Sequence, residues 1–118
     1  MSTSVLVVDD DPGFRDLASR LLTELGLAVV GQAGSVAAAF SAAHELRPHA
    51  ALVDVGLPDG DGLELAVGLA ALPWRPRVVL ISSDPDATTT EDARAAGAVG
   101  FVSKAALPGG GLRTMLVG

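Results

Sequence analysis

The sequence holds no cysteine, one lysine, two histidines and no long apolar run, and each shortage removes a class of function. Without cysteine there is no disulfide scaffold, thiolate zinc site or cysteine nucleophile. His44 and His49 are too few for a histidine-rich metal site. No apolar stretch approaches the roughly 18 residues that a membrane span needs. The N-terminus also lacks the charged and apolar regions of a secretory signal, so a cytoplasmic location is expected. Positive charge is scarce: 8 Lys and Arg stand against 14 Asp and Glu, for a net charge of −6. With no basic run, this segment is not expected to bind nucleic acid directly.

What is present suffices for one packed domain. The 118 residues are 49% hydrophobic and 19% charged, enough to bury one core and too few for two domains. Residues 1–118 are therefore read as a single domain with no second, output domain.

Short β-branched runs alternate with helical patterns. Ser4 to Val8 is a continuous apolar strand of the kind buried on both faces of a parallel sheet. Asp11 and Pro12 read as N-cap and first position of a helix. Phe14, Leu17, Ala18, Leu21, Leu22 and Leu25 form its inner stripe, and Gly26 ends it. Leu27 to Val30 is a second strand, and Ser35 caps a second helix that Pro48 closes. Ala50 to Val53 leads to Asp54, and a loop rich in Pro, Gly and Asp runs to Gly62 before a helix over 63–72. Val78 to Ile81 is the fourth strand. Thr88 and Glu91 form a capping-box pattern for the fourth helix, 88–96. Ala98 to Val102 is the fifth strand, and Leu112 to Val117 is a short last helix behind Gly109, Gly110 and Gly111. Five alternating βα units imply an α/β, flavodoxin-like, doubly wound parallel sheet with strand order 2-1-3-4-5. In such sheets the reactive site lies at the carboxyl ends of the strands.

The acids gather at those ends. Asp9, Asp10, Asp11, Asp54, Asp59, Asp61, Asp84 and Asp86 all follow closely after apolar runs. Asp9 and Asp10 end the first strand and Asp54 the third, which are neighbours in this order, so the three carboxylates converge. Two like charges about 4 Å apart repel by roughly 4 kcal/mol at an effective dielectric near 20, so a cation is required. Mg2+ suits oxygen ligands and pairs with phosphate. Ser82 follows the fourth strand 28 residues after Asp54, and Lys104 follows the fifth 22 residues later. Carboxylate, hydroxyl and ammonium thus emerge on one edge as a cradle for a transferring phosphoryl group, with Asp54 as the nucleophile.

At this constellation the sequence resembles the response-regulator receiver domains of bacterial two-component signalling. The likeness runs from Val5 to Val117. It is carried by Val-Val-Asp9-Asp10, Val-Asp54-Val-Gly-Leu-Pro58 with Gly62, the strand-ending Ser82, and Gly100-Phe101-Val-Ser-Lys104. The resemblance implies that Asp9, Asp10, Asp54 and the backbone carbonyl of Gly56 hold Mg2+, and that Asp54 is the phosphoacceptor. It further implies Ser82 as switch hydroxyl, Lys104 as the ion-pair partner of the phosphoryl group and Phe101 as switch aromatic. Asp84 and Gly56 would flank the path of the water that removes the phosphoryl group. The implied partners are a sensor histidine kinase or phosphotransfer protein, with an output domain or separate effector read through the face of the fourth helix, fifth strand and fifth helix. A phosphorylation-dependent homodimer is also in keeping with the family. The implied role is signalling, with self-phosphotransfer and autodephosphorylation as its only chemistry. Gly31 to Gly34 and Lys104 to Pro108 look more like receivers of NarL/LuxR-type transcription regulators than chemotaxis ones.

Ala105 stands where the family often has proline, and Ser82 where threonine is commoner; neither removes a phosphorylation residue. Two other readings compete. One is a receiver-like interaction module that works without phosphorylation. The other is an aspartate-nucleophile phosphatase, disfavoured because Asp54 has Gly56 rather than an acid two positions on. Asp59 to Gly62 echoes a calcium loop, but alignment on Gly62 puts Leu57 and Gly68 where acids are needed. His44, His49 and Trp74 are read as surface or rim residues opposite the acidic edge.

Overall fold

The computed structural model describes residues 2–107, 109 and 111–118 of the chain. Pro108 and Gly110, which the sequence reading placed in the stretch ending at Pro108 and in the triple glycine, lie outside the described residues. Strands β1 (Ser4–Val8), β2 (Ala28–Ala33), β3 (Ala50–Asp54), β6 (Arg77–Ser82) and β7 (Gly100–Ser103) form one sheet in the order β2-β1-β3-β6-β7. Every pairing in it is parallel. Counted along the chain, these five strands give the expected order 2-1-3-4-5. Two-residue strands β4 (Gly56–Leu57) and β5 (Gly60–Asp61) make a small antiparallel hairpin beside it.

Side chains alternate across the pleat, so each continuous apolar run feeds two cores. Leu6, Val8, Ala51, Val53, Val78 and Leu80 point to one face. They meet Ala39 and Ala43 of α2 (Val36–Leu46), Leu65, Ala66 and Leu69 of α3 (Gly62–Ala70), and Ala93 of α4 (Thr90–Ala95). Val5, Val7, Ala50, Leu52, Val79, Ile81 and Val102 point to the other, against Ala18 and Leu22 of α1 (Pro12–Glu24) and Leu112 and Leu116 of α5 (Leu112–Val117). A leucine such as Leu22 or Leu116, with no exposed surface, stabilises the fold by about 1.5–3 kcal/mol.

Helix starts follow the expected caps, with one exception. Asp11 accepts a hydrogen bond from Gly13 N, and Ser35 accepts one from Ala38 N. The fourth helix is capped by Thr89, whose side chain accepts from Asp92 N at 3.0 Å, and not by Thr88 with Glu91. Three consecutive threonines offer three candidate caps, and burial decides: Thr88 is only 9% exposed. The second strand is longer than expected because Gly31, Gln32 and Ala33 pair with Leu6, Val7 and Val8. The fifth begins at Gly100, later than expected. The third helix ends at Ala70, and the hairpin and a 3₁₀ turn over Lys104–Ala106 appear where the sequence read as loop.

The opposite rim is packed rather than bare. Trp74 is half-buried, donates from Nε1 to the Pro48 carbonyl at 3.0 Å, and lies under the Arg47 guanidinium at 5.0 Å. His44 meets the ring edge-on, and exposed His49 accepts from Ser4 N at 2.9 Å.

Gly62 joins fold to site. Its N–H donates to the Val55 carbonyl at 2.8 Å, and a Cβ there would overlap the Asp54 carbonyl and lie 2.7 Å from Val55 Cα. Both obstacles are backbone and cannot rotate away. Gly62→Ala is expected to lower unfolding free energy by about 1–3 kcal/mol in urea denaturation; an unchanged midpoint would show that the turn can relax.

Candidate functional site

The carboxyl edge of the sheet places Asp9 just beyond β1 and Asp54 at the end of β3. Asp9 has no exposed surface and Asp54 is 8% exposed. Carboxylate oxygens of Asp9, Asp10 and Asp54 lie within 4.8 Å of one another. The other five strand-end acids do not join them. Asp11 caps α1, Asp61 caps α3, Asp84 accepts from Asp86 N, and Asp59 bonds the start of α2. Asp86 is exposed in the same loop as Asp84. Strand-end acids therefore divide into a converging set of three, a set of four that ties loops and helix starts down, and Asp86.

Lys104 begins the 3₁₀ turn after β7, beyond the Ser82–Ser103 pair that closes the β6–β7 ladder. Its long stem reaches back to β3 and β1. Nζ lies 2.7 Å from Asp9 Oδ2 and 3.3 Å from Asp54 Oδ2, with the lysine side chain 18% exposed. The Phe14 ring lies beneath the ammonium, 4.1 Å from centroid to Nζ, a cation–π contact. Asp54 Oδ1 accepts from Gly56 N at 3.1 Å, so each oxygen of this carboxylate has its own partner. Asp9 Oδ1 accepts from Asp11 N at 2.9 Å, and the Asp9 carbonyl accepts from Arg15 Nη1 at 2.6 Å. Arg15 is braced in turn by Gln32 on β2.

Burial is the main force raising the Asp54 carboxyl above its ordinary value. The Gly56 N–H and the Lys104 ammonium oppose that rise, while the Asp9 charge adds to it. Burial also pulls Lys104 downward, but Asp9 and Asp54 outweigh it and leave the ammonium above its usual range. The group is two buried carboxylates and an exposed third around one partly exposed cation, so it remains short of positive charge. Asp9 Oδ2 is buried and, despite the nearby ammonium, has no partner in hydrogen-bond geometry. A buried carboxylate oxygen with an ion-pair partner but no hydrogen bond, among hard oxygen donors, fits a small divalent cation.

Ser82 is buried at the end of β6, its Oγ accepting from Asp84 N at 3.0 Å. Phe101 on β7 is half-buried against the core that includes Val53 and Leu80. Neither is hydrogen-bonded to Asp54 among the described residues. Phe14 and Arg15 were not read from the sequence as site residues. Phe14 fits the apolar stripe of α1, and nothing local marks a ring that will meet an ammonium 90 residues away in the chain.

Comparison with known proteins agrees with this geometry. The family profile described as response regulator receiver domain matches residues 5–112. A Pseudomonas aeruginosa protein carrying the description of a transcriptional regulator is 40% identical over 103 residues, covering 86% of this chain and 49% of that protein. The DNA-binding transcriptional activator DevR/DosR of Mycobacterium tuberculosis is 39% identical over 99 residues, 84% of this chain and 46% of its own length. The chain thus spans about half the length of these curated relatives. The solved signal receiver domain of NarL from Mycobacterium tuberculosis superposes with a TM-score of 0.77 at 35% identity, over 87% of this chain and 84% of that one.

Removing the ammonium should expose the charge conflict. Lys104 has a raised value in the fold, so its contribution is complete at neutral pH and lost as pH rises through the folded value. Lys104→Met is expected to cost about 1–3 kcal/mol at pH 7. The deficit should shrink as pH falls through the raised Asp54 value, because a protonated carboxyl no longer needs the ammonium. Thermal unfolding of both proteins across pH checks this; a deficit independent of pH would mean that only stem packing was lost.

Proposed function

The chain belongs to the response regulator receiver domain family, and from that premise we propose that Asp54 accepts a phosphoryl group from a histidine kinase or phosphotransfer protein and thereby switches the α4–β7–α5 face. The observation that carries this reading is the Asp54 carboxylate, buried beside Asp9 and Asp10 and within 3.3 Å of the Lys104 ammonium. Asp9, Asp10 and Asp54, with the Gly56 carbonyl, would hold Mg2+. When bound, that ion supplies the positive charge that this acidic group lacks and stabilises negative charge on a transferring phosphoryl group.

The residues of the chain divide the rest of the work. An Asp54 carboxylate oxygen attacks phosphorus of the donor phosphohistidine; the new O–P bond forms as the N–P bond breaks, and the imidazole leaves with a proton. Lys104, already paired with Asp54, turns its ammonium to the phosphoryl oxygens and neutralises charge there. The acyl phosphate replaces one carboxylate charge with close to two and presents strong acceptor oxygens. Ser82 then gives up the Asp84 N–H and donates its hydroxyl to the phosphoryl group. Phe101 fills the space that this movement leaves. These contacts exist only in the phosphorylated state, which is what a population shift requires.

α4 suits the moving element. It is six residues long and buries one side chain, Ala93, so little apolar contact holds it. The readout is a partner or an output domain that senses this face, in keeping with the transcriptional regulators among the relatives. The domain itself acts in signalling, with phosphotransfer to and hydrolysis from Asp54 as its chemistry.

Intact mass after incubation with phosphoramidate, with and without Mg2+, tests the phosphoacceptor. One labile phosphoryl group is expected on the parent, dependent on Mg2+ and absent in Asp54→Asn. No uptake would leave a receiver fold that works without phosphorylation. The switch has its own readout: Phe101 ring resonances should move when beryllofluoride occupies the site, and identical spectra would remove Phe101 from it.

A further inference from the structure

Asp59 is one of the strand-end acids that fail to join the central cluster, and its carboxylate is fully engaged elsewhere. Oδ1 accepts from Val36 N at 2.7 Å and Oδ2 accepts from Ala37 N at 3.1 Å. These are two of the free N–H groups at the start of α2. The cap from within the chain, Ser35, takes the third, Ala38 N. The first three N–H groups of the helix are thus taken, by two residues 24 positions apart.

The bonds also hold the loop that carries Asp59. That loop is the β4–β5 hairpin, in which Gly56 faces Asp61 and Leu57 faces Gly60. Gly60 seats directly on α2: a Cβ there would lie 3.1 Å from Val36 Cγ2. At the near end of the hairpin, Gly56 N donates to Asp54 Oδ1. A continuous path therefore runs from the α2 N–H groups through Asp59 and the hairpin to the carboxylate at the end of β3.

We infer that Asp59 is a positioning residue for Asp54, clamping the β4–β5 hairpin to α2 so that the Gly56 N–H stays on Asp54 Oδ1. The inference rests on the phosphoacceptor reading for its functional consequence, but the clamp is a property of the protein without metal or phosphoryl donor. The Val36 and Ala37 N–H bonds hold the Asp59 carboxyl below its ordinary value, so the clamp is charged at neutral pH. Released, the hairpin keeps its short ladder, the Gly62 N–H to Val55 carbonyl bond, the Asp61 cap of α3 and the packing of Leu57 on the core, but loses its hydrogen bonds to α2.

Two readouts on the parent, Asp59→Ala and Asp59→Asn test this, all held well below their unfolding temperatures. The first is the amide spectrum of the protein without Mg2+. In Asp59→Ala the amide protons of Val36, Ala37 and Gly56 should all shift upfield, Gly56 included although its N–H bonds Asp54 and not Asp59. Asp59→Asn, which keeps one acceptor oxygen, should restore part of the Gly56 shift. The second is the rate of phosphoryl uptake from phosphoramidate at saturating Mg2+, expected to fall roughly three- to tenfold in Asp59→Ala with partial recovery in Asp59→Asn. A Gly56 amide that stays in place while Val36 and Ala37 move overturns the clamp, whatever happens to uptake. A moved Gly56 amide with unchanged uptake overturns its role in positioning Asp54. If the parent takes up no phosphoryl group, the phosphoacceptor reading fails separately, and the Gly56 amide alone decides the clamp.

Discussion

Two carboxylates at the ends of adjacent parallel strands repel each other, and the Lys104 ammonium between Asp9 and Asp54 lets both remain buried. Much of the surrounding structure bears on that contact. Phe14 supplies an aromatic face to the ammonium, Gly56 and Asp11 donate backbone N–H groups to the carboxylates, and Arg15 holds the Asp9 carbonyl. The lysine also keeps some freedom, since it retains exposure and has a flexible stem. A counter-ion of this kind can hold the resting site together and still turn to a different negative group.

The rest of the fold isolates this polar edge from two dry cores. Even- and odd-numbered residues of β1 and β3 face opposite helical layers, so the strands are apolar on both sides until their last positions. Polar chemistry is thereby confined to strand ends, where the chain turns into loops. Those loops are tied by the acids themselves: Asp11 and Asp61 cap the helices that follow, and Asp59 reaches across to a third. One residue type thus serves both in the buried acidic cluster and as the fastening of the loops around it.

The helices are unequally anchored, and the difference has a direction. α1 sets Ala18 and Leu22 into its core and α3 sets Leu65, Ala66 and Leu69 into the other, whereas α4 contributes only Ala93. Asp54 therefore has firmly packed helices on the α1 and α3 sides and a loosely held one in α4. Ser82 and Phe101 lie on β6 and β7, the two strands that α4 connects.

Much of the fold was legible in the residues. Continuous β-branched runs that alternate with 3.6-residue stripes leave little besides a parallel sheet between helices, and Asp11, Ser35, Gly26 and Pro48 mark their boundaries in local chemistry. The convergence of Asp9, Asp10 and Asp54, with Lys104 at the same edge, also followed from strand order. What the sequence could not decide was choice among equivalents. Thr88 and Thr89 are alike as caps until one is buried, and strand-end acids are alike until loops fold and send Asp59 to α2 while Asp54 stays in place. Phe14 reads as core because its apolar spacing is all that local sequence records. Period and composition act within a few residues and determine elements and their order. Contacts between Phe14 and Lys104, or Asp59 and Val36, join segments far apart in the chain, and only the packed tertiary structure decides which groups meet.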